Sequence, residues 1–141
     1  MKILILNGPN LNLLGEREPE VYGSESLSDV NQWISSQEIC QDLELVFYQS
    51  NHEGALIDFL QGHRKSADGM VINPGGLTHY SVSLRDAIVG CQIPTIEVHL
   101  SDIHAREEFR QVSFVKDVCI EQISGQGKQG YLQAIELLLK Q

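Results

Sequence analysis

Apolar positions along the chain follow two different periods. Five short, partly β-branched runs read as strands: Lys2–Asn7, Leu43–Ser50, Gly69–Asn73, Pro94–Leu100 and Val118–Ile123. Between them the apolar residues recur every three or four positions, the spacing of one helix face. Leu27, Val30 and Ile34 follow a Ser26-x-x-Asp29 cap signal, and Leu56, Phe59 and Leu60 follow a Ser50-x-x-Glu53 capping box. Leu84, Ala87, Ile88 and Cys91 repeat behind Thr78, and Leu132, Ile135, Leu138 and Leu139 close the chain. Arg106–Gln111 reads as a short helix.

Strict alternation of strand and helix implies a parallel sheet with helices on both faces. Five strands suit a flavodoxin-like, doubly wound five-stranded parallel sheet of order 2-1-3-4-5, the order being an analogy with that fold. Ligands of such folds bind beyond the carboxyl ends of the strands, where the order reverses. The segments following the five strands are Asn7–Asn10, Ser50–Glu53, Asn73–His79, His99–Ser101 and Ser124–Gly127. All are polar or rich in Gly and Pro, and all fall at one predicted edge. Turn chemistry alone accounts for any one of them; the convergence of Asn, His and Ser at every end points to a site.

Composition narrows the class. The chain of 141 residues, 42% apolar, is sized for one hydrophobic core, so one domain is expected over residues 1–141. The apolar stretch at the start is too short for a signal peptide and no run approaches a membrane span, which predicts a cytoplasmic location. Cys40, Cys91 and Cys119 are widely spaced and odd in number, which suggests neither a disulfide framework nor a zinc knuckle. Ten Lys+Arg against nineteen Asp+Glu give a formal charge of −9, which disfavours nucleic acid and anionic membranes as partners. Arg17, Arg106 and Arg110 nevertheless lie in or beside the suspected functional segments, so a small anionic ligand is expected.

Three features carry candidate chemistry. The connection Gly8–Gly23 spans sixteen residues, against about 2–6 for an ordinary strand-to-helix loop. Within it Gly15 and Gly23 bracket a stretch holding Arg17 and Tyr22, the composition of a lid. Glu97 and His99 stand two apart on a strand and so share a face, where a carboxylate can fix an imidazole's tautomer. His79, His99 and His104 leave a metal site open as a further reading, although no H-E-x-x-H or Cys/His spacing supports it. Gly125–Gly130 matches G-x-G-x-x-G, yet the chain continues for only eleven residues, with no later strand and no acidic residue to bind a ribose. We read it as a tight turn before a helix.

The motifs Asn7–Gly15, Arg17–Pro19 with Tyr22-Gly23, Gln49–Asn51 with Glu53-Gly54, Ile72–Gly75, Thr78-His79 with Ser81–Ala87, Glu97–Ser101, Arg106–Arg110 and Gly125–Gly127 with Gly130-Tyr131 run in this order along the chain. In them the sequence resembles the type II dehydroquinases, hydro-lyases of the shikimate pathway that convert 3-dehydroquinate to 3-dehydroshikimate without a cofactor. The resemblance implies a tyrosinate base, Tyr22, with Arg17 lowering its pKa. A free tyrosine titrates near about 10, so only about 0.1% would otherwise ionise at neutral pH. It further implies that Asn10 stabilises an enolate through a water and that His99, oriented by Glu97, protonates the departing hydroxyl. Asn73 would hold that hydroxyl, and the Leu100 and Ser101 backbone with the Ser101 side chain would bind the substrate carboxylate. His79 and Arg110 would bind ring hydroxyls, with Asp86 supplied by a neighbouring subunit, and Arg106 would order the lid. The family's dodecamer of trimers is the implied assembly.

Lys2, Lys65, Lys116 and Lys140 fall outside the expected site, and Lys128 lies at its margin, which disfavours an imine route. Asp102, Gln111 and Glu121 depart from the family pattern, where Asn, His and Gly are common. Two rivals remain at this level: a flavodoxin-like module that binds a small anion without chemistry, and a metal-dependent hydrolase using His79 and His99.

Overall fold

The computed structural model describes residues 1–141, apart from the side chains of Val21 and Tyr22. Strands β1 (Lys2–Asn7), β2 (Glu44–Gln49), β3 (Gly69–Asn73), β4 (Thr95–His99) and β5 (Glu121–Ser124) form one sheet, parallel throughout, in the order β2-β1-β3-β4-β5. The helices are α1 (Pro19–Tyr22), α2 (Leu27–Ser36), α3 (Glu53–His63), α4 (Val82–Cys91) and α5 (Gln129–Leu139). The expected architecture and strand order are therefore the observed ones.

The central strands are apolar on both faces because both faces are covered. Ile3, Ile5, Val71, Ile96 and Val98 pack with Val30 and Ile34 of α2 and Ala134, Ile135 and Leu138 of α5. On the other face Leu4, Leu6, Met70 and Ile72 meet Leu56 and Leu60 of α3 and Leu84 and Ile88 of α4. Each fully buried Leu or Ile contributes about 1.5–3 kcal/mol through removal from water. The order reverses between β1 and β3, and their register sets Asn7 beside Asn73 at the carboxyl ends. Those two residues open the crevice in which the site lies. Among the described residues no helix is long and apolar enough to cross a membrane.

Several local expectations need correction. The Ser26/Asp29 capping box is present, with both reciprocal bonds at 3.1 Å. The Ser50/Glu53 box is not. The Ser50 amide still donates to Asn7 O at the end of the β1–β2 ladder, so its hydroxyl reaches only the His52 amide, at 3.0 Å. Glu53 instead accepts a hydrogen bond from Ser81. Ser81, not Thr78, caps α4 by accepting from the Leu84 amide at 3.0 Å; Thr78 is drawn away toward Glu97. The fifth strand begins at Glu121 because Lys116–Val118 forms a short turn, and Arg106–Gln111 contains only the single turn Glu108–Arg110, interrupted by extended backbone at Glu107.

Candidate active site

A cavity of about 180 Å³ lies over the carboxyl ends of β1, β3 and β4. It brings together nine of the residues singled out from the sequence: Asn10, Arg17, Asn73, His79, His99, Leu100, Ser101, Arg106 and Arg110. Glu97 lies directly beneath, fully buried. Asp86 does not join them within one chain; it lines a larger open concavity between α3 and α4 with Arg64 and Ser83. The side chain of Tyr22 lies outside the described residues.

The floor of the cavity is an imidazole–carboxylate pair. Side chains two apart on β4 share a face, and His99 Nε2 stands 2.8 Å from Glu97 Oε2. An ionised carboxylate only accepts, so Nε2 carries the hydrogen and Nδ1 is left as the nitrogen whose protonation can change. Burial pushes the Glu97 carboxyl up, but hydrogen bonds and charge from His99, with donors from Ser113 and Gln122, hold it net below its ordinary 4.5. Ser113 Oγ lies 2.6 Å from Oε1, Gln122 Nε2 2.7 Å from Oε2 and Thr78 Oγ1 3.2 Å from Oε2. The carboxylate is thus kept charged in a dry place by four partners, and a charge so placed is a strong orienter of His99. A nearby thiol responds in the opposite sense: burial, then the Glu97 charge, pushes Cys119 up to about 12.

A second buried network holds the crevice between β1 and β3. The Tyr131 hydroxyl, on α5, donates to Asn7 Oδ1 and accepts from Asn73 Nδ2 at 3.3 Å. Asn73 Oδ1 accepts from the Gly75 amide at 3.1 Å. Asn73 is therefore turned one way, with its second amide hydrogen left for the cavity. Burial pushes the Tyr131 phenol to about 12, so it stays neutral. Above this network the turns after β1 and β3 nearly touch: a Cβ on Gly8 would stand 2.3 Å from Pro74 O, so only glycine fits. Asn10 is held in a left-handed conformation (φ 72°), its amide donating to Asn51 Oδ1 at 2.9 Å.

The rim is cationic. Arg17 lies 3.5 Å and Arg106 4.0 Å from the Glu18 carboxylate, so one acidic residue of the long loop bridges two guanidiniums. Arg110 pairs with Glu107 and lies 4.9 Å over the Phe109 ring. His79 Nδ1 stands 2.8 Å from Val112 O; a carbonyl only accepts, so Nδ1 carries the hydrogen and Nε2 is free to accept. Burial outweighs that bond and holds His79 below its ordinary 6.5.

Ser113, Gln122 and the depth of Tyr131 were not read from the sequence. Ser113 and Gln122 are single polar residues whose neighbours show no motif, and only the pairing of Glu97 with Gln122 across β4 and β5 turns the latter inward. Lys128 lies off the cavity, bridging to Glu25 at 3.0 Å and standing 4.7 Å over the Trp33 ring. Gly125 and Gly127 take φ of 79° and 57° in the turn before α5, as expected of a turn. Among the described residues no three His, Cys, Asp or Glu side chains gather as a metal-holding group.

Fold and cleft together define a doubly wound α/β protein with a buried imidazole–carboxylate pair under a cavity at the carboxyl ends of the strands. The sequence model of the family "Dehydroquinase class II" matches residues 1–139. A 3-dehydroquinate dehydratase of Roseiflexus castenholzii is 54% identical over 139 residues, covering 99% of this chain and 88% of the relative. One of Halothermothrix orenii is 49% identical over 138 residues, covering 98% and 93%. The crystal structure of the type II dehydroquinase from Butyrivibrio crossotus superposes with a TM-score of 0.95 at 48% identity, covering 99% of this chain and 97% of the other. The chain belongs to the class II dehydroquinase family and is an enzyme.

Proposed function

We propose that the protein dehydrates 3-dehydroquinate to 3-dehydroshikimate in the shikimate pathway by anti elimination through an enolate. The observation that carries this reading is the His99–Glu97 pair at the floor of a small arginine-rimmed cavity, in a chain whose relatives are named for that reaction. Tyr22, its phenol made more acidic by Arg17, takes a proton as tyrosinate from the carbon next to the ketone, and the C–H electron pair moves into the enolate. Asn10 stabilises the enolate oxygen through a water. The enolate then collapses, the C1–O bond breaks, and His99 gives its proton to the leaving hydroxyl, which departs as water.

Glu97 keeps His99 in the orientation and charge this step needs. Asn73, already fixed by Tyr131 and Gly75, presents its remaining amide hydrogen to the leaving hydroxyl. The substrate carboxylate binds at Leu100 and Ser101, and ring hydroxyls meet His79 Nε2 and Arg110. Arg106, within reach of Glu18, orders the long loop. Asp86, remote from the cavity of its own chain, enters a neighbour's site in a trimer, four of which form a dodecamer. The reaction runs in the cytoplasm and requires neither metal nor organic cofactor.

The test is to follow the ultraviolet absorbance of the conjugated enone product on adding purified protein to 3-dehydroquinate, with chelator-treated and borohydride-treated samples alongside. Turnover surviving both treatments is expected. Loss to chelator points to metal chemistry, loss to borohydride in the presence of substrate points to an imine, and no turnover in folded protein favours a module that only binds.

A further inference from the structure

The Glu97 oxygen that holds His99 is shared. Gln122 Nε2 donates to the same Oε2 at 2.7 Å, against 2.8 Å for His99 Nε2. Gln122 sits opposite Glu97 in the β4–β5 register, yet it does not line the cavity. Its other amide atom, Oε1, lies 3.1 Å from His104 Nε2. The polarity of this chain of bonds is fixed from within. A carboxylate only accepts, so the Gln122 NH2 must point inward; Oε1 then points outward and must receive a hydrogen from His104. The His104 turn is itself pinned, its amide donating to Asp102 Oδ1 at 3.0 Å. A continuous relay therefore runs from an exposed histidine through one amide to the acid–base pair.

We propose that Gln122, oriented by His104, is a positioning residue that sets how strongly Glu97 draws on the Nε2 hydrogen of His99, and through it how readily Nδ1 gives up its proton. This rests on the reading of His99 as the acid of the proposed dehydration. A carboxylate oxygen divides its charge among its donors, so each added donor makes it a weaker base toward the others. With Gln122 in place, Glu97 orients the imidazolium without over-stabilising it, and His99 remains able to release its proton to the leaving hydroxyl. The other ionisable groups that feel this oxygen are His79, from the turn after β3, and Cys119, ahead of β5. Asp102 and Glu121 are the acidic residues beside the outer end of the relay: Asp102 caps the His104 turn, and Glu121 accepts from the Gln122 amide.

The experiment compares the pH profiles of kcat and KM for wild type, Gln122→Met, His104→Ala and His104→Gln. Methionine keeps the length of Gln122 and removes both bonds; the glutamine at 104 can restore a donor to Oε1. In Gln122→Met we expect kcat to fall about two- to fivefold with KM essentially unchanged, and the alkaline limb of the kcat profile to move up by about half to one pH unit, because His99 becomes a weaker acid. His104→Ala moves the limb in the same direction by less, and His104→Gln recovers most of the wild-type profile. A limb that stays in place in both Gln122→Met and His104→Ala overturns the proposal, as does a loss of kcat accompanied by an equal change in KM. His104 is at the surface, so its two variants decide the matter even where Gln122→Met does not fold. If wild type fails to turn over 3-dehydroquinate, the functional reading falls, and the NMR titration of the His99 ring in wild type and the variants still reads the relay: a midpoint unmoved to higher pH refutes it.

Discussion

Tyr131→Phe removes one oxygen atom from the interior and tests how the crevice is held. In the native protein that oxygen bridges Asn7 and Asn73, which are 1% and 3% exposed. The variant leaves Asn7 Oδ1 and one Asn73 N–H without a partner in a place water reaches poorly, at about 1–3 kcal/mol for each unsatisfied group. A total loss of about 2–6 kcal/mol follows at neutral pH. The pH dependence is more diagnostic. Burial raises the phenol from 10 to about 12, so the native state keeps a proton that the unfolded chain gives up above its own value. Stability from this group is fully present below pH 10 and is lost as pH rises toward about 12, at about 1.4 kcal/mol per unit. Phenylalanine has no such loss. The difference in unfolding free energy between wild type and Tyr131→Phe should therefore shrink by about 1.4 kcal/mol between about pH 8 and about pH 11. Urea titrations at fixed protein concentration, followed by the fluorescence of Trp33, measure that difference at each pH, and effects of other alkaline titrations cancel in it. A gap that stays constant with pH, or one below about 0.5 kcal/mol at pH 8, would refute the bridging account.

Other outcomes follow from the same geometry. Gly8→Ala places a Cβ 2.3 Å from Pro74 O, so one of the two site turns must move; we expect a loss of about 2 kcal/mol or more by thermal melt and a tenfold or larger loss of turnover. Ser113→Ala removes the 2.6 Å donor to Glu97 and should cost about 1.5–3 kcal/mol. Because Glu97 sits below 4.5 in the folded state, its stabilisation is present above that pH and disappears as pH falls through the folded value. Acid unfolding of Ser113→Ala should accordingly be less steep below about pH 4.5 than that of wild type. Cys119, held as a thiol up to about 12, should react with a thiol reagent at neutral pH only as the protein unfolds, so labelling should rise with urea in parallel with the fluorescence change.

Much of the architecture was legible because it is written in local periodicity. The runs ILIL of β1 and MVI of β3 are buried on both faces, which is what continuous apolar strands between helices imply. Glu97 and His99 could be paired from spacing alone, since residues two apart on a strand share a face. Residues whose roles depend on distant parts of the chain were harder to see. Tyr131 reaches Asn7 across 124 positions, and Gln122 reaches Glu97 only through the β4–β5 register. Ser50 looked like a helix cap because its spacing to Glu53 is right, but the sheet claims its backbone and Ser81 claims the carboxylate. Asp86 illustrates a further limit: it lines a concavity with Arg64 and Ser83, away from the cavity at the strand ends, and no local pattern separates it from the residues that do gather there.

The claim at the centre of the account is that Tyr22 is the base, and the most direct measurement pairs turnover with binding in Tyr22→Phe. Enone formation from 3-dehydroquinate is followed for wild type and variant, while calorimetry measures binding of the substrate to the variant. The account predicts a loss of turnover of at least about a thousandfold, with binding changed by less than about tenfold, because the phenylalanine keeps the ring and loses only the oxygen that takes the proton. Turnover within about tenfold of wild type would contradict it and move the search for the base to another residue of the cleft.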